Sequence, residues 1–147
     1  MRKEIEKLLQ SVQKPARYAG GELNSVMKDK SKVALRYAFC FPDTYEIGMS
    51  HLGMKILYGV ANAREDTWCE RVFAPADDME ALMRANGEPL FALESGDPIK
   101  DFDMIGFTMQ YELSYTNILN MLDLAGVPLR AVDRKSLTSI RFCKSKK

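Results

Sequence analysis

Histidine is nearly missing from this sequence, with His51 its only example. Cysteine is scarce as well: Cys40, Cys69 and Cys143 are odd in number and far apart. One imidazole and three scattered thiols do not make a zinc site, a nucleophile triad or a disulfide framework. Cys40 sits in an apolar run and reads as a small buried hydrophobe rather than a reactive thiol. An excess of charge of either sign is also absent, since 21 Lys and Arg against 20 Asp and Glu leave a net charge of +1. Such a chain has no global field to draw it to nucleic acid or to a membrane. No apolar run approaches the roughly 20 residues that a bilayer crossing needs. The first ten residues alternate charges with Ile5, Leu8 and Leu9, unlike the continuous apolar region of a signal peptide. These absences lead us to expect a cytoplasmic protein with neither nucleic-acid nor membrane partners.

What is present suits one folded domain. The 147 residues are 46% hydrophobic and 28% charged, ordinary for one globular core. Residues 1–32 read as a lead segment with a short helix over Lys3–Val12, stopped at Lys14-Pro15. Residues 33–133 carry the domain, and residues 134–147 a divergent basic tail. The tail's Arg134, Lys135, Arg141, Lys144, Lys146 and Lys147 read as a solvated segment rather than a polyanion-binding patch.

Within the domain the pattern predicts a strand over Val33–Phe41, whose only charge is Arg36. Ser50 is the predicted N-cap of a helix running to about Ala63, with Leu52, Ile56, Leu57 and Val60 as its apolar face. A strand over Trp68–Ala74 follows, then a helix opened by Asp77 or Asp78 and stopped at Asn86-Gly87. Pro89–Leu93 reads as a short extended piece and Asp103–Met109 as a strand. Ser114–Ala125 reads as a helix burying Ile118, Leu119, Leu122 and Leu124, and Val127–Ala131 as a further short strand. Strands that alternate with helices over short connections predict an α/β fold: an open, mostly parallel, Rossmann-like sheet with helices on both faces.

In such a sheet, ligands bind beyond the carboxyl ends of the strands. That rule selects Pro42–Gly53, Ala74–Asp78 and Thr108–Ser114. The first loop holds Asp43, Thr44, Tyr45, Glu46, Gly48, Ser50, His51 and Gly53. Asp43 and Glu46 are candidates for an acid/base pair, although loop carboxylates are common. His51 is either a ligand or base, or a capping and packing residue, which a lone histidine near a helix start more often is. No phosphate-loop pattern follows the strand. The third loop holds Thr108, Gln110, Tyr111, Glu112, Ser114, Tyr115 and Asn117, where ligand contact and helix capping by Ser114 are equal readings. Ala74–Asp78 is accounted for by capping. The nine methionines read as packing.

Four stretches of the sequence resemble a known family. They are Lys14-Pro15-Ala16-Arg17-Tyr18 with Gly20-Gly21-Glu22 and Asn24-Ser25-Val26; Phe41 through Gly53; Glu70-Arg71-Val72-Phe73-Ala74-Pro75 with Asp78-Met79-Glu80; and Phe102 through Asn117 with Leu124-Ala125-Gly126. Together they are similar to the amino-terminal region of a fused, largely uncharacterised subfamily of radical SAM proteins with a B12-binding-like domain. The resemblance covers about Lys14 to Arg134. It implies a cobalamin-binding-type domain, then a partial barrel that holds a [4Fe–4S] cluster and S-adenosylmethionine through Cys-x-x-x-Cys-x-x-Cys. That motif does not occur in this sequence, so the expectation is a domain with no catalytic centre of its own. Its expected partner is a radical SAM barrel encoded downstream.

Two departures from the resemblance matter. Cobalamin domains carry Asp-x-His-x-x-Gly after the first strand, whereas here the same spacing reads Asp43-Thr44-Tyr45-Glu46-Ile47-Gly48. Tyr45 stands where the cobalt-binding histidine would be, and His51 lies six residues further on. Beyond Arg134 the sequence leaves the family's pattern, which implies a truncated or frameshifted product, or a fragment. The candidate cofactor-binding residues are therefore Asp43, Tyr45, Glu46, Gly48, Ser50, His51, Gly53, Thr108, Gln110, Tyr111 and Glu112, with cobalamin as the candidate cofactor. A docking module that has lost cobalamin is the alternative, and a small independent hydrolase or lyase the weakest reading.

Overall fold

The computed structural model describes residues 2–134. Helix α1 (Lys3–Leu9) and a 3-10 turn (Pro15–Arg17) lead into strand β1 (Leu35–Phe41). Helices α2 (Tyr45–Ser50) and α3 (Leu52–Asn62) follow, then strand β2 (Thr67–Phe73) and helix α4 (Asp77–Asn86). A second 3-10 turn (Ile99–Asp101), strand β3 (Met104–Phe107) and helix α5 (Ser114–Leu124) come next, and a 3-10 turn (Ala131–Arg134) ends the described chain. The sheet is wholly parallel in the order β2-β1-β3. It is the open α/β sheet expected from the sequence.

A strand's side chains alternate between its faces, so each face of this sheet has its own core. On one face Ala38, Cys40, Val72 and Ile105 meet Ile5 and Leu8 of α1, Met79 and Met83 of α4, and Met121 and Leu122 of α5. On the other face Phe39, Phe41, Cys69 and Phe73 meet Met54 and Tyr58 of α3. The register sets Met104 and Gly106 of β3 beside Tyr37 and Phe39 on this second face. Met54, Met79, Met83 and Met121 thus serve packing, whereas Met27 and Met109 are exposed. The helix stop at Asn86-Gly87 is also found: Gly87 takes a left-handed φ of 65°, and Glu88 N–H donates back to the Met83 carbonyl at 2.9 Å.

Several expectations are corrected. Ser50 caps nothing; it is the last residue of α2, and its hydroxyl donates to the Glu46 and Ile47 carbonyls, each at 2.9 Å. The helix expected from Ser50 to about Ala63 is found as α3, beginning at Leu52, and the short α2 precedes it with the break at His51. His51 is extended and caps α3, its Nδ1 accepting from Met54 N–H at 3.2 Å. The stretch read as irregular between Pro42 and Gly48 is half helix. Leu52, Ile56, Leu57 and Val60 do not face the core: they are 69%, 55%, 55% and 64% exposed. In α5 Leu119 is also exposed, and Met121 takes the buried place. Pro89–Leu93 makes only one antiparallel bridge, Phe91 to Pro98. Val127–Ala131 forms no strand, because the chain turns after α5 and enters the last 3-10 turn. The expectations for residues 135–147 lie outside the described residues. Among the described residues no helix is long and apolar enough to cross a membrane.

Candidate functional site

The carboxyl ends of β1 and β2 are tied to each other, the Asp43 carbonyl accepting from Ala74 N–H at 3.0 Å. Asp43 then turns its carboxylate onto Thr44 N–H at 2.7 Å. Tyr45 packs edge-on against Phe73, with ring centres 5.5 Å apart, and its hydroxyl donates to Glu22 at 3.1 Å. Glu46 accepts from Arg17 at 2.8 Å and lies 3.7 Å from the Lys14 ammonium. The Arg17 hydrogen bond holds its carboxyl below the usual glutamate value. Asp43 and Glu46 therefore each have other partners, and no hydrogen bond joins them. Gly48 packs so closely under Phe73 that a Cβ there would stand 2.3 Å from the ring. The His51 ring lies 5.3 Å from the Phe41 ring while capping α3. Gly53 sits in the first turn of α3 beside the same imidazole.

The third loop is differently placed. Thr108 continues the β3 ladder by donating its N–H to the Cys40 carbonyl at 3.0 Å, and its hydroxyl is buried without a partner. Gln110, Tyr111 and Glu112 are exposed. The carbonyls of Tyr111 and Glu112 accept from Ser114 and Tyr115 N–H, opening α5. Ser114 is buried and is not the N-cap, a position held by Leu113 without a side-chain bond. Asn117 reaches across to donate to the Pro42 carbonyl at 2.8 Å.

An open polar crevice of about 410 Å³ results at the ends of β1 and β2, between Asp43, Thr44, Asp77, Glu80, Asn117 and Asn120. Of the candidate cofactor-binding residues only Asp43 borders it; Thr44, Asn117 and residues 74–77 of the second strand-end loop border it as well. Tyr45 and His51 are turned into packing, Glu46 is exposed and paired with Arg17, and Gln110–Glu112 stand away on the α5 approach.

The sequence reading missed the residues that organise this end of the sheet. The lead segment bends over β2 and is held by Arg17 on Glu46 and by the Tyr18 hydroxyl accepting from Ala76 N–H at 3.0 Å. Burial raises the Tyr18 phenol above its ordinary pKa. Beneath it lies a buried ion cluster. Arg71, only 5% exposed, donates to Glu94 at 2.6 Å, to Ser25 at 2.9 Å and to Glu22 at 3.2 Å, with its guanidinium over the Tyr58 ring. Towards the amino ends of the strands a second buried group forms: Arg36, near the start of β1, pairs with the fully buried Glu70 at 2.5 Å and with Asp97 at 2.9 Å, and stacks on Phe102. The available signal was two adjacent charges, Glu70 and Arg71, inside an otherwise apolar strand. Such charges go inward only when paired.

Cys40 and Cys69 lie in the cores on opposite faces of the sheet, and burial pushes both thiols up. That is the opposite of what thiolate ligation requires. Among the described residues no cluster of His, Cys, Asp and Glu is arranged to hold a metal ion.

A wholly parallel open sheet with helices on both faces defines a Rossmann-like α/β domain. Residues 53–142, from the first turn of α3 onward, match the family described as radical SAM proteins, N-terminal. The match covers more than half of the chain, which belongs to this family. No curated protein and no solved structure matches it.

Proposed function

We propose that this domain is a docking module of a radical SAM protein, and that its partner is the barrel carrying the iron–sulfur cluster. The observation that carries the reading is the outer side of α3. Leu52, Ile56 and Val60 recur every four residues and form one stripe, flanked by Leu57, each more than half exposed. Lys55 is the only charged residue of that helix. A contiguous apolar stripe left in water marks an interaction surface. The sheet supports the same reading: α3 packs on β1 and β2, while Met104 on the same face of β3 stays half-buried. Membership of an amino-terminal radical SAM family makes the barrel the natural occupant. We expect the chain to co-elute with that barrel when the two are expressed together. The Ile56→Lys, Val60→Lys double variant should weaken the complex by about tenfold or more and leave the melting temperature unchanged. Undiminished co-elution of the variant would refute this reading.

A second reading, that the strand ends hold cobalamin, is favoured by the polar crevice. Asp43, Glu80, Asn117 and Asn120 offer carboxylate and carboxamide groups suited to the amide-fringed rim of a corrin. The fit stops short of the cobalt. The Tyr45 hydroxyl is bound to Glu22, and His51, with Nδ1 accepting from Met54 N–H, carries the neutral ring's proton on Nε2, so neither is set as a lower ligand. Hydroxocobalamin should then co-elute with the chain in gel filtration, with a spectrum free of protein nitrogen ligation. Tyr45→His should change that spectrum. Elution of protein without corrinoid would remove the reading.

A further inference from the structure

Helix α3 has a second flank besides the apolar stripe. Lys55 and Gly59, one turn apart, border a cavity of about 380 Å³ between α3 and the segment that carries Val26. That volume lies in the ~300–1,000 Å³ range of small-molecule sites. Its walls are mainly apolar, with Val26, Met49, Met54 and the Tyr58 ring among them. The buried polar groups inside are already engaged, and Asn24 is an exposed polar residue of the lining. Arg71 is taken by Glu94, Glu22 and Ser25, and the Tyr58 hydroxyl accepts from Val26 N–H at 2.7 Å.

Lys55 differs. Its side chain is exposed at the cavity wall, and its ammonium has no ion pair or hydrogen bond among the described residues. At the mouth, Leu23 is 99% exposed, an apolar side chain with no core to join. Gly59 contributes empty space: a Cβ there would meet nothing within 4 Å.

We propose that this cavity binds a small amphipathic carboxylate. Its aliphatic part lies against Val26, Met49 and Met54, and its head accepts from the Lys55 ammonium. One unpaired cation suits a singly charged head, whereas the second charge of a phosphate would face Glu22 across the cavity. Neither docking to a barrel nor cobalamin binding requires this site.

The test is titration of the full chain with octanoate below its micellar range, beside octanol and octylamine. Trp68 is the chain's only tryptophan, and its indole N–H donates to the Val26 carbonyl at 2.9 Å. Its fluorescence therefore reports on the cavity wall, with calorimetry as a second readout. We expect saturable octanoate binding and weaker binding of octylamine. Lys55→Met should weaken octanoate by about tenfold, the loss of one charge-assisted hydrogen bond, and leave octanol unchanged. Gly59→Leu should abolish binding by filling the space. Its melting temperature should not fall, because glycine is the poorer helix former by about 1 kcal/mol. If Gly59→Leu folds poorly, the exposed Lys55→Met decides alone. The proposal is overturned by the absence of saturable octanoate binding, by equal affinity for all three head groups, or by Lys55→Met binding octanoate as the parent does.

Discussion

Replacing Glu94 with alanine is expected to cost about 3–5 kcal/mol of unfolding free energy, a large share of the marginal stability of a single domain. The Glu94 side chain is fully buried and that of Arg71 6% exposed, with 2.6 Å between Oε1 and Nε. Glu94 also accepts from Arg71 backbone N–H at 2.7 Å. Truncation leaves a guanidinium in the core with only Glu22 as a charged partner, so the loss is mainly the cost of an uncompensated charge. Glu94→Gln keeps the volume and an acceptor, and should cost less. Substituting the pair together, Arg71→Met with Glu94→Leu, should recover much of the loss. Urea unfolding measures all three, and an alanine cost below about 1 kcal/mol would rule out the account of a dry ion pair.

The same residue gives a signed dependence on pH. Burial raises the Glu94 carboxyl above its ordinary 4.5, against the pull of Arg71. From 4.5 up to that raised value the folded chain holds a proton that the unfolded chain has released. Stability therefore falls as pH rises through this window, and Glu94→Gln should remove that slope.

The second large effect is expected at Trp68, where alanine should cost about 3–5 kcal/mol. The indole is 2% exposed, its N–H donates to the Val26 carbonyl, and the Arg36 guanidinium lies 5.2 Å from its ring centre. Removing it opens a cavity at the start of β2 and frees the segment that closes the Lys55 cavity. Trp68→Phe keeps most of the volume but leaves the Val26 carbonyl without the indole, and should lose about 1–3 kcal/mol. Equal losses for the two variants would show that the hydrogen bond, not the packing, dominates.

The alternation of strands and helices was legible because it is written in local periodicity. Val33–Phe41 and Trp68–Ala74 are too apolar for a half-solvated strand, and Asn86-Gly87 carries its own stop signal. The strand-end loops were legible too, since their place follows once the sheet is known. The roles of the site residues were not. Tyr45 meets Glu22, Glu46 meets Arg17, and Asn117 meets the Pro42 carbonyl. These partners lie 23, 29 and 75 residues apart in the chain, and no local pattern announces such pairs. His51 had both a capping and a ligand reading, and only the Met54 N–H contact shows that it caps.

The apolar stripe of α3 illustrates the division. The sequence by itself determined that Leu52, Ile56, Leu57 and Val60 share one side of a helix, since helical spacing is a property of the backbone. It determined the parallel α/β class for the same kind of reason. Which side of α3 meets the sheet was decided only by tertiary structure. Met54 and Tyr58 fill the space above Phe39 and Cys69, and a helix has one side to bury against one sheet. Tertiary structure likewise decided that Glu70, Arg71 and Glu94 go inward, because a buried charge is tolerable only where its partner arrives from elsewhere in the chain.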